Sequence, residues 1–141
     1  CPLCRVSEDS NHIFFTCPSA IFLWSRLREA VGGSWCHANL SNMFAEVRAF
    51  PGTGRPSLRV SVRTLLWTLW NVRNKLVIEH IIPLRVTDAV YKLCGFLQLW
   101  RPLSKRQDSV SIDRMIVELR STASRLAPPL PPALPPPPKP N

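Results

Sequence analysis

The sequence predicts a mainly α fold followed by a C-terminal tail that is extended or disordered. The first observation is that apolar residues recur at helical spacing along several segments. The second is that turn residues separate these segments, with Gly32-Gly33 and the stretch PGTGRP as the clearest breaks. The third is that nine of the fifteen prolines lie from Pro128 onward, where they exclude a helix or a sheet interior.

Local signals place the ends of the predicted helices. Pro18 suits a first helical turn, and Gly32 suits the residue after a helix. Ser41 is the expected cap of the second helix, and Thr87 or Asp88 is the expected cap of the fourth. The predicted helices are 19–31, 41–50, 57–80, 87–100 and 111–126.

The segment 57–80 has the strongest helical pattern and should form a central helix. At about 100° per residue, its apolar stripe is narrow and a second face gathers polar residues. The stripe comprises Leu58, Val62, Leu65, Leu69, Val72 and Leu76. The polar face comprises Ser61, Thr64, Thr68, Asn71, Lys75 and Glu79. Further apolar residues widen the arc, so we expect core contacts from more than one side. They are Leu66, Trp67, Trp70 and Val77.

Composition and charge favour polyanionic partners. The chain has 18 Lys and Arg against 9 Asp and Glu, a net charge of +9. Such an excess favours nucleic acid first, although the basic residues are scattered rather than grouped in one block. Charged residues interrupt every long apolar stretch, so no membrane span is expected. The chain starts at Cys1 rather than at Met, which suggests a segment of a longer protein.

The start of the chain contains a metal-ligand pattern of the form C-x2-C-x7-H-x4-C. Its ligands would be Cys1, Cys4, His12 and Cys17. Three thiolates and one imidazole complete the tetrahedron that Zn²⁺ prefers and leave no open position, so we predict one structural zinc ion. Such a site would tie the N-terminus to the first helix, in a reducing compartment such as the nucleus or the cytoplasm. The alternative is a set of reduced thiols that bind no metal.

The other two cysteines carry different expectations. Cys36 with His37 is a spare pair that could replace one of the ligands, although an incidental role is favoured. Cys94 lies among apolar residues of a predicted helix and is expected to be a core thiol.

The opening stretch and the long helix together resemble a known module. CPLCRVSEDSNHIFFTCPSAIFLWSRL has two cysteines, an acidic-polar spacer, a histidine followed by apolar residues, a third cysteine and a Trp-containing helix. LLWTLWNVRNKLV adds the pattern W-x-x-W-x-x-R-N through Trp67, Trp70, Arg73 and Asn74. In this order the two segments are similar to the zinc-binding domain found downstream of the reverse transcriptase in plant LINE-type (non-LTR) retrotransposons. The resemblance covers residues 1–100.

The resemblance implies that the chain is part of a retroelement polyprotein. It does not imply that this part has polymerase activity. The family's module begins upstream of its first cysteine, so the domain at 1–100 would be truncated at its N-terminus. An additional helix at 101–126 and a disordered Pro-rich tail at 127–141 would follow it. No Tyr-x-Asp-Asp sequence occurs, so the catalytic motif of a reverse transcriptase is absent from this chain. The alternative within this family is an inactive retroelement remnant.

Catalysis is not expected from the remaining residues. The nine carboxylates are dispersed, whereas a two-metal centre needs several acids at one point. Glu8 and Asp9 form the only adjacent pair, which suits a solvated loop. Cys36 and His37 lack an orienting third group, and the GTG stretch lacks the Lys of a phosphate loop. We therefore predict that the chain is not an enzyme.

Nucleic-acid binding is the leading predicted function, through phosphate contacts with RNA or DNA. The candidate contacts are Arg5, Arg26, Arg28, Arg55, Arg59 and Arg63. Phe14, Phe15 and Trp24 could stack on bases, but a small zinc domain needs such residues as core. The core interpretation of these three rings is therefore the favoured one.

A structural role is predicted for the W-x-x-W-x-x-R-N residues Trp67, Trp70, Arg73 and Asn74. Asn74 lies inside the predicted apolar arc and Arg73 lies near its edge. A buried Asn must be hydrogen-bonded and a buried Arg must be paired. We therefore expect Arg73 to bond Glu29, Glu46 or a helix-end carbonyl.

The Pro-rich tail suggests a second function from a different class. RLAPPLP fits the pattern R-x-x-P-x-x-P through Arg125, Pro128 and Pro131. Aromatic-lined grooves of polyproline-binding domains dock this pattern. On this alternative, residues 125–131 would make the chain a protein-interaction fragment.

Overall fold

The described part of the chain is a bundle of α-helices. The computed structural model describes residues 1–33, 38–50, 52–82 and 85–127, and no β-strand occurs within these ranges, which confirms the mainly α class. The helices are α1 (Pro18–Val31), α2 (Leu40–Ala49), α3 (Arg55–Val77), α4 (Val86–Trp100) and α5 (Arg106–Leu126). Cys36, His37 and the tail with Pro128 and Pro131 lie outside the described residues. In the described ranges, no helix has both the length and the apolar character needed to cross a bilayer.

The ends of α1 follow the predicted signals, whereas α2 has a different cap. Pro18 is the first residue of α1, and Gly32 follows the helix at φ 75°, a conformation that glycine adopts without steric cost. Asn39, rather than Ser41, precedes α2 as its cap. The Asn39 side-chain oxygen accepts a hydrogen bond from the backbone N of Asn42 at 3.0 Å. The prediction of Ser41 as the cap was therefore wrong.

Helices α4 and α5 both start before the predicted residue. Arg85 precedes α4, and its backbone N donates to Oδ2 of Asp88 at 3.1 Å. Asp88 therefore acts from inside the first turn rather than as the cap itself. α5 starts at Arg106, with Asp108 in its first turn, where the helix dipole favours a carboxylate. Apolar periodicity did not reveal this start because most of the residues added, RQDSV, are polar.

The core lies where α1, α3, α4 and α5 meet. α4 packs on both α3 and α5, and α1 lies against α5 and α3. α5 belongs to the same apolar core as the helices before it. α2 differs, because among the described elements it packs on α3 alone. Large side chains that are completely buried include Leu23, Leu27, Met43, Leu65, Leu93, Leu97, Ile112 and Leu119.

Helix α3 buries its apolar stripe and also part of its polar face. The stripe is buried at Leu58, Val62, Leu65, Leu69 and Leu76, and half-buried at Val72. Ser61, Thr64 and Thr68, from the face expected to be polar, are completely enclosed. Their hydroxyls donate to backbone carbonyls one turn back, at 2.7 to 2.8 Å. Each buried hydroxyl is therefore hydrogen-bonded within its own helix.

The tryptophans of α3 do not widen the buried arc as expected. Trp67 is 46% exposed and Trp70 is 40% exposed. On the opposite side of the helix, Oγ of Ser61 lies 3.4 Å from Sδ of Met115 in α5. Short side chains let a neighbouring helix approach closely on that side. The core therefore takes the Ser/Thr face of α3, and the prediction of the wider apolar arc was wrong at both tryptophans.

Candidate metal centre

The four predicted ligands lie together at the N-terminus. The ligand atoms of Cys1, Cys4, His12 and Cys17 all lie within 4.8 Å of one another. Sγ of Cys1 is 3.9 Å from Sγ of Cys17, and Sγ of Cys4 is 3.2 Å from Nε2 of His12. With metal–sulfur bonds of about 2.3 Å, a regular tetrahedron has sulfur–sulfur edges of about 3.8 Å. The distance between Cys1 and Cys17 is close to such an edge, and the four residues could hold a metal ion.

A tight turn presents the first two cysteines. The backbone N of Arg5 donates to the carbonyl of Cys1 at 2.8 Å and closes the CPLC turn. Pro2 lies inside this turn, where its ring restricts φ. Arg5 has φ 58°, in the left-handed region that residues with a Cβ rarely adopt. The turn brings both thiols to one site and leaves backbone strain at Arg5.

Arg5→Gly is expected to stabilise the metal-loaded chain by about 1 kcal/mol, because glycine adopts the left-handed conformation without the clash of a Cβ. Thermal unfolding of the metal-loaded chain would measure the gain. Arg5→Ala is the matched control, since it removes the same guanidinium but keeps a Cβ. An equal gain in both variants would contradict the strain argument and assign the effect to the lost charge.

Of the other two ligands, His12 is the first residue of a π-helical turn, His12–Thr16, and Cys17 directly follows that turn. At its start, Oδ1 of Asp9 accepts a hydrogen bond from the backbone N of His12 at 2.6 Å. At its end, the backbone N of Cys17 donates to the carbonyl of His12 at 2.9 Å. Cys17 then directly precedes Pro18, the first residue of α1. The turn therefore fixes both ligands relative to the first helix of the bundle.

Neighbouring hydroxyls orient these two ligands. Oγ1 of Thr16 lies 3.4 Å from Nδ1 of His12, so Nε2 is the ring nitrogen that faces the cysteines. A partner on the second nitrogen holds the ring orientation of a metal-binding histidine. Oγ of Ser19 lies 3.2 Å from Sγ of Cys17. His12 and Cys17 are buried and the other two ligands are half-buried, an enclosure typical of structural sites.

Cys94 is a core thiol, as the sequence predicted. Its side chain is completely buried in α4. Burial raises the pKa of the Cys94 thiol to about 11, with the charge of Arg120 acting in the opposite direction. The thiol therefore stays protonated at neutral pH and belongs to the packing of the bundle.

An ion pair connects the metal-binding loop to α3. Nε of Arg73 donates to Oε1 of Glu8 at 2.7 Å, and the two side chains are only 27% and 17% exposed. Nη1 of Arg73 donates to Oδ1 of Asn74 at 3.0 Å. The guanidinium also lies 5.6 Å from the centre of the Trp70 ring, within range of a cation–π contact. Arg73 therefore joins the loop, the helix and an exposed aromatic ring.

The partner of Arg73 differs from all those that were expected. Glu29 forms its ion pair with Arg26 instead, at 2.6 Å. Among the described residues, Arg73 bonds Glu8 and Asn74 rather than Glu46 or a helix-end carbonyl. Glu8 was expected in a solvated loop, yet it is mostly buried against α3. The predicted partners of Arg73 were therefore wrong. Glu8 lies 65 residues away in the sequence, so no local pattern indicated it.

Arg73→Ala and Glu8→Gln are each expected to lower the melting temperature, with a coupling of about 1 kcal/mol in a double-mutant cycle. The pair is partly shielded from water, so its contribution should exceed that of the exposed pair Arg101–Asp113. The same cycle on the exposed pair is the control. If Arg73→Ala weakened nucleic-acid binding and left stability unchanged, the structural role of Arg73 would be wrong.

Three of the six predicted nucleic-acid contacts are partly enclosed on the surface of the bundle. Arg26 pairs with Glu29 at 2.6 Å. Nε of Arg55 donates to the carbonyl of Phe50 at 3.0 Å. Arg28 is half-buried in the last turn of α1. A phosphate that bound Arg26 would compete with Glu29, and one that bound Arg55 would compete with the carbonyl of Phe50.

The other three predicted contacts are exposed. Arg5 lies in the metal-binding turn, whereas Arg59 and Arg63 lie one turn apart on α3. Within the described ranges, no side-chain hydrogen bond or ion pair involves any of these three guanidinium groups. The structure does not gather all six arginines into one patch, but it does place two of them side by side.

The aromatic residues near the metal centre belong to the core. Phe15 and Trp24 are 5% and 6% exposed, and their rings stack with centres 5.9 Å apart. Nε1 of Trp24 donates to the carbonyl of Phe14 at 2.7 Å. The core interpretation of these two rings is confirmed, and they are not accessible for stacking on bases.

Sequence reasoning missed two residues of α2, Phe44 and Arg48. Phe44 is 58% exposed and lies with Arg48 along a groove that Arg59 and Arg63 also line. The signal was present in α2, because Met43 and Val47 already supply its inward face at a spacing of one turn. Phe44, next to that stripe, is an aromatic residue that the helix does not need for packing.

Comparison with known proteins assigns no family to the chain. No protein-family model, curated protein or solved structure matches it. The function of the chain is therefore inferred from its structure, above all from the Cys₃His group, whose ligand atoms lie within 4.8 Å of one another.

Proposed function

We propose that the chain is a non-catalytic zinc-binding module that contacts RNA or DNA through the phosphate backbone. The observation that carries the proposal is the enclosed Cys₃His group. Thiolates disfavour Mg²⁺, Ca²⁺ and Mn²⁺, which prefer oxygen ligands. A set of three sulfurs and one nitrogen suits Zn²⁺, which binds sulfur at about 2.3 Å and nitrogen at about 2.0 Å.

The role of the zinc ion in this proposal is structural. Protein atoms fill all four positions, so no open position remains for water or a substrate. Bound zinc would hold the CPLC turn against Cys17 at the start of α1. The ion pair between Glu8 and Arg73 would hold the same loop against α3. The bonds to zinc would thus stabilise a short N-terminal segment that cannot form an apolar core of its own.

Charge supports nucleic acid as the partner. The net charge of +9 favours a polyanion, and α3 contributes four Arg and one Lys without any Asp or Glu. The resemblance to the zinc-binding domain of plant LINE-type reverse transcriptases supports the same partner and a retroelement origin. The chain would be an accessory module of such a polyprotein and would leave polymerisation to another region.

A salt-dependent binding experiment tests the proposed function. The zinc-loaded chain is titrated into fluorescently labelled single-stranded RNA of about 20 nucleotides, and anisotropy is followed. Affinity should fall at least about tenfold between about 50 and 200 mM salt, because each phosphate contact releases counterions. Polyglutamate competitor at equal charge is the control and should displace RNA poorly. No binding at the lower salt concentration would overturn the nucleic-acid part of the proposal.

A further inference from the structure

An exposed stripe of aromatic and basic side chains runs along α3. It consists of Arg59, Arg63, Trp67 and Trp70, and all four residues are exposed. Spacings of three and four residues place them on one side of the helix, over about 16 Å of its length. This side faces away from the buried apolar residues of α3, among them Leu65 and Leu69. The stripe is therefore a free surface of the described bundle.

Helix α2 extends the stripe into a groove. The groove has a volume of about 410 Å³, and both helices line it. Phe44 and Arg48 contribute from α2, opposite Arg59, Arg63 and Leu66 of α3. The ring of Phe44 is 58% exposed, more than either tryptophan. Three aromatic rings and three guanidinium groups therefore occupy one continuous surface, which we call the α2–α3 face.

The positive charge of this face is not neutralised by neighbouring residues. Among the described residues, Arg48, Arg59 and Arg63 form no side-chain hydrogen bond and no ion pair. α3 carries no acidic residue, and α2 carries Glu46 alone. A partner that covers the face must therefore bring negative charge, because burial of unpaired guanidinium groups is costly.

We propose that the α2–α3 face binds single-stranded nucleic acid, with bases stacked on its aromatic rings and phosphates paired with its arginines. This inference rests on the proposed function and assigns it a surface and a strand type. Exposed rings favour a single strand, because unpaired bases offer faces for stacking that a duplex keeps inside. An acidic amphipathic helix fits the charge less well, since such a helix places its apolar face in a hydrophobic groove, whereas arginines line much of this one.

The metal centre supports one end of this face. Arg73, which lies over the Trp70 ring at 5.6 Å, is held by Glu8 from the metal-binding loop. The loop thereby restricts Arg73 and the ring beside it. Rigid aromatic platforms bind bases at a lower entropic cost than mobile ones.

Two pairs of substitutions separate stacking from charge. Phe44→Leu with Trp67→Leu keeps an apolar side chain at each position but removes two rings, and Arg59→Gln with Arg63→Gln removes two charges. Tyr91→Leu is the aromatic control, because Tyr91 is 43% exposed on α4 and bonds Ser124 of α5. Arg106→Gln with Arg114→Gln is the charge control, since both arginines are exposed on α5.

The zinc-loaded full chain and each variant are titrated with oligo(U) RNA, oligo(dT) DNA and an RNA duplex, each of about 12 nucleotides. The ring variant lacks two stacking platforms, so it should bind both single strands at least about 30-fold more weakly and keep the salt slope of the wild type. The arginine variant should make the negative slope of log K against log salt shallower by about 1.4, because two phosphate contacts are lost. The duplex should bind more weakly than either strand, and the two strands together distinguish RNA preference from DNA preference.

The outcomes separate this inference from the proposed function. If the wild type binds no oligonucleotide, both fail. If the wild type binds and the control variants weaken binding as much as the α2–α3 variants, the face is not the site and the proposed function stands. Melting curves of each variant identify losses caused by unfolding, and Trp67→Phe, which keeps a ring, should then restore binding. Tight binding of an acidic amphipathic peptide with no binding of either strand would overturn the inference in favour of a protein partner.

Discussion

Removal of the proposed zinc ion is expected to unfold residues 1–17 and to lower the melting temperature of the chain by more than about 10 °C. Apart from the ion pair of Glu8 with Arg73 and the packing of Phe15, little holds this segment, since Leu3 and Val6 are about half exposed. Structural zinc ions bind with about 10–16 kcal/mol in small domains, as much as the whole stability of a typical domain. The ion should therefore decide whether this segment is ordered.

The loss should spread into the core but should not abolish the bundle. Phe15 and Cys17 are part of the core cluster, and Phe15 stacks on Trp24 of α1. α3, α4 and α5 share buried side chains of their own, among them Leu65, Leu93 and Ile112. Helical circular dichroism should therefore fall only in part on chelation. Hydrogen exchange should show lost protection at the N-terminus and retained protection in α4 and α5.

A ligand substitution and a matched core substitution sharpen this test. Cys17→Ser should lose the zinc ion during dialysis, whereas Cys94→Ala should keep about one zinc per chain. Both residues are buried cysteines, but only Cys17 belongs to the Cys₃His group. The metal content of the purified chains measures the difference. Unchanged metal content and melting temperature in Cys17→Ser would show that these cysteines are ordinary reduced thiols.

Features encoded by local spacing could be predicted from the sequence. The helices repeat their apolar residues at helical intervals, and proline and glycine mark the ends of α1. The four metal ligands lie within seventeen residues, so local turns can bring them together without a distant part of the chain. The π-helical turn between His12 and Cys17 needs no distant partner to bring these two residues to one site.

Features that depend on distant partners could not be predicted. The ion pair of Glu8 with Arg73 joins positions 65 residues apart, and the sequence around either residue does not indicate its partner. Which face of α3 is buried also depends on a distant partner, the helix that packs against it. Hydropathy favours Trp67 over Thr64 for the core, but a close neighbouring helix favours the smaller residue. The hydroxyl of Thr64 donates to the backbone of its own helix, and this hydrogen bond offsets most of the cost of burying a polar group.

Thr64→Lys is therefore expected to destabilise the chain by at least about 3 kcal/mol, whereas Trp67→Lys should cost only about 1 kcal/mol. Thr64 is completely enclosed, so a lysine there would bury an unpaired ammonium and would also overpack the helix interface. Trp67 is 46% exposed, so a lysine there keeps its charge in water and loses part of one apolar contact. A hydropathy pattern alone predicts the reverse order.

Urea unfolding of the two zinc-loaded variants measures this difference. Thr64→Val is the control, because it keeps the volume of the side chain and removes only the hydroxyl. Its effect should stay below about 1.5 kcal/mol, since the carbonyl of Val60 keeps its own helical partner. A Thr64→Lys chain as stable as the wild type, with Trp67→Lys unfolded, would mean that α3 turns its tryptophans inward. The α2–α3 face would then lose its rings, and with them its capacity to stack on bases.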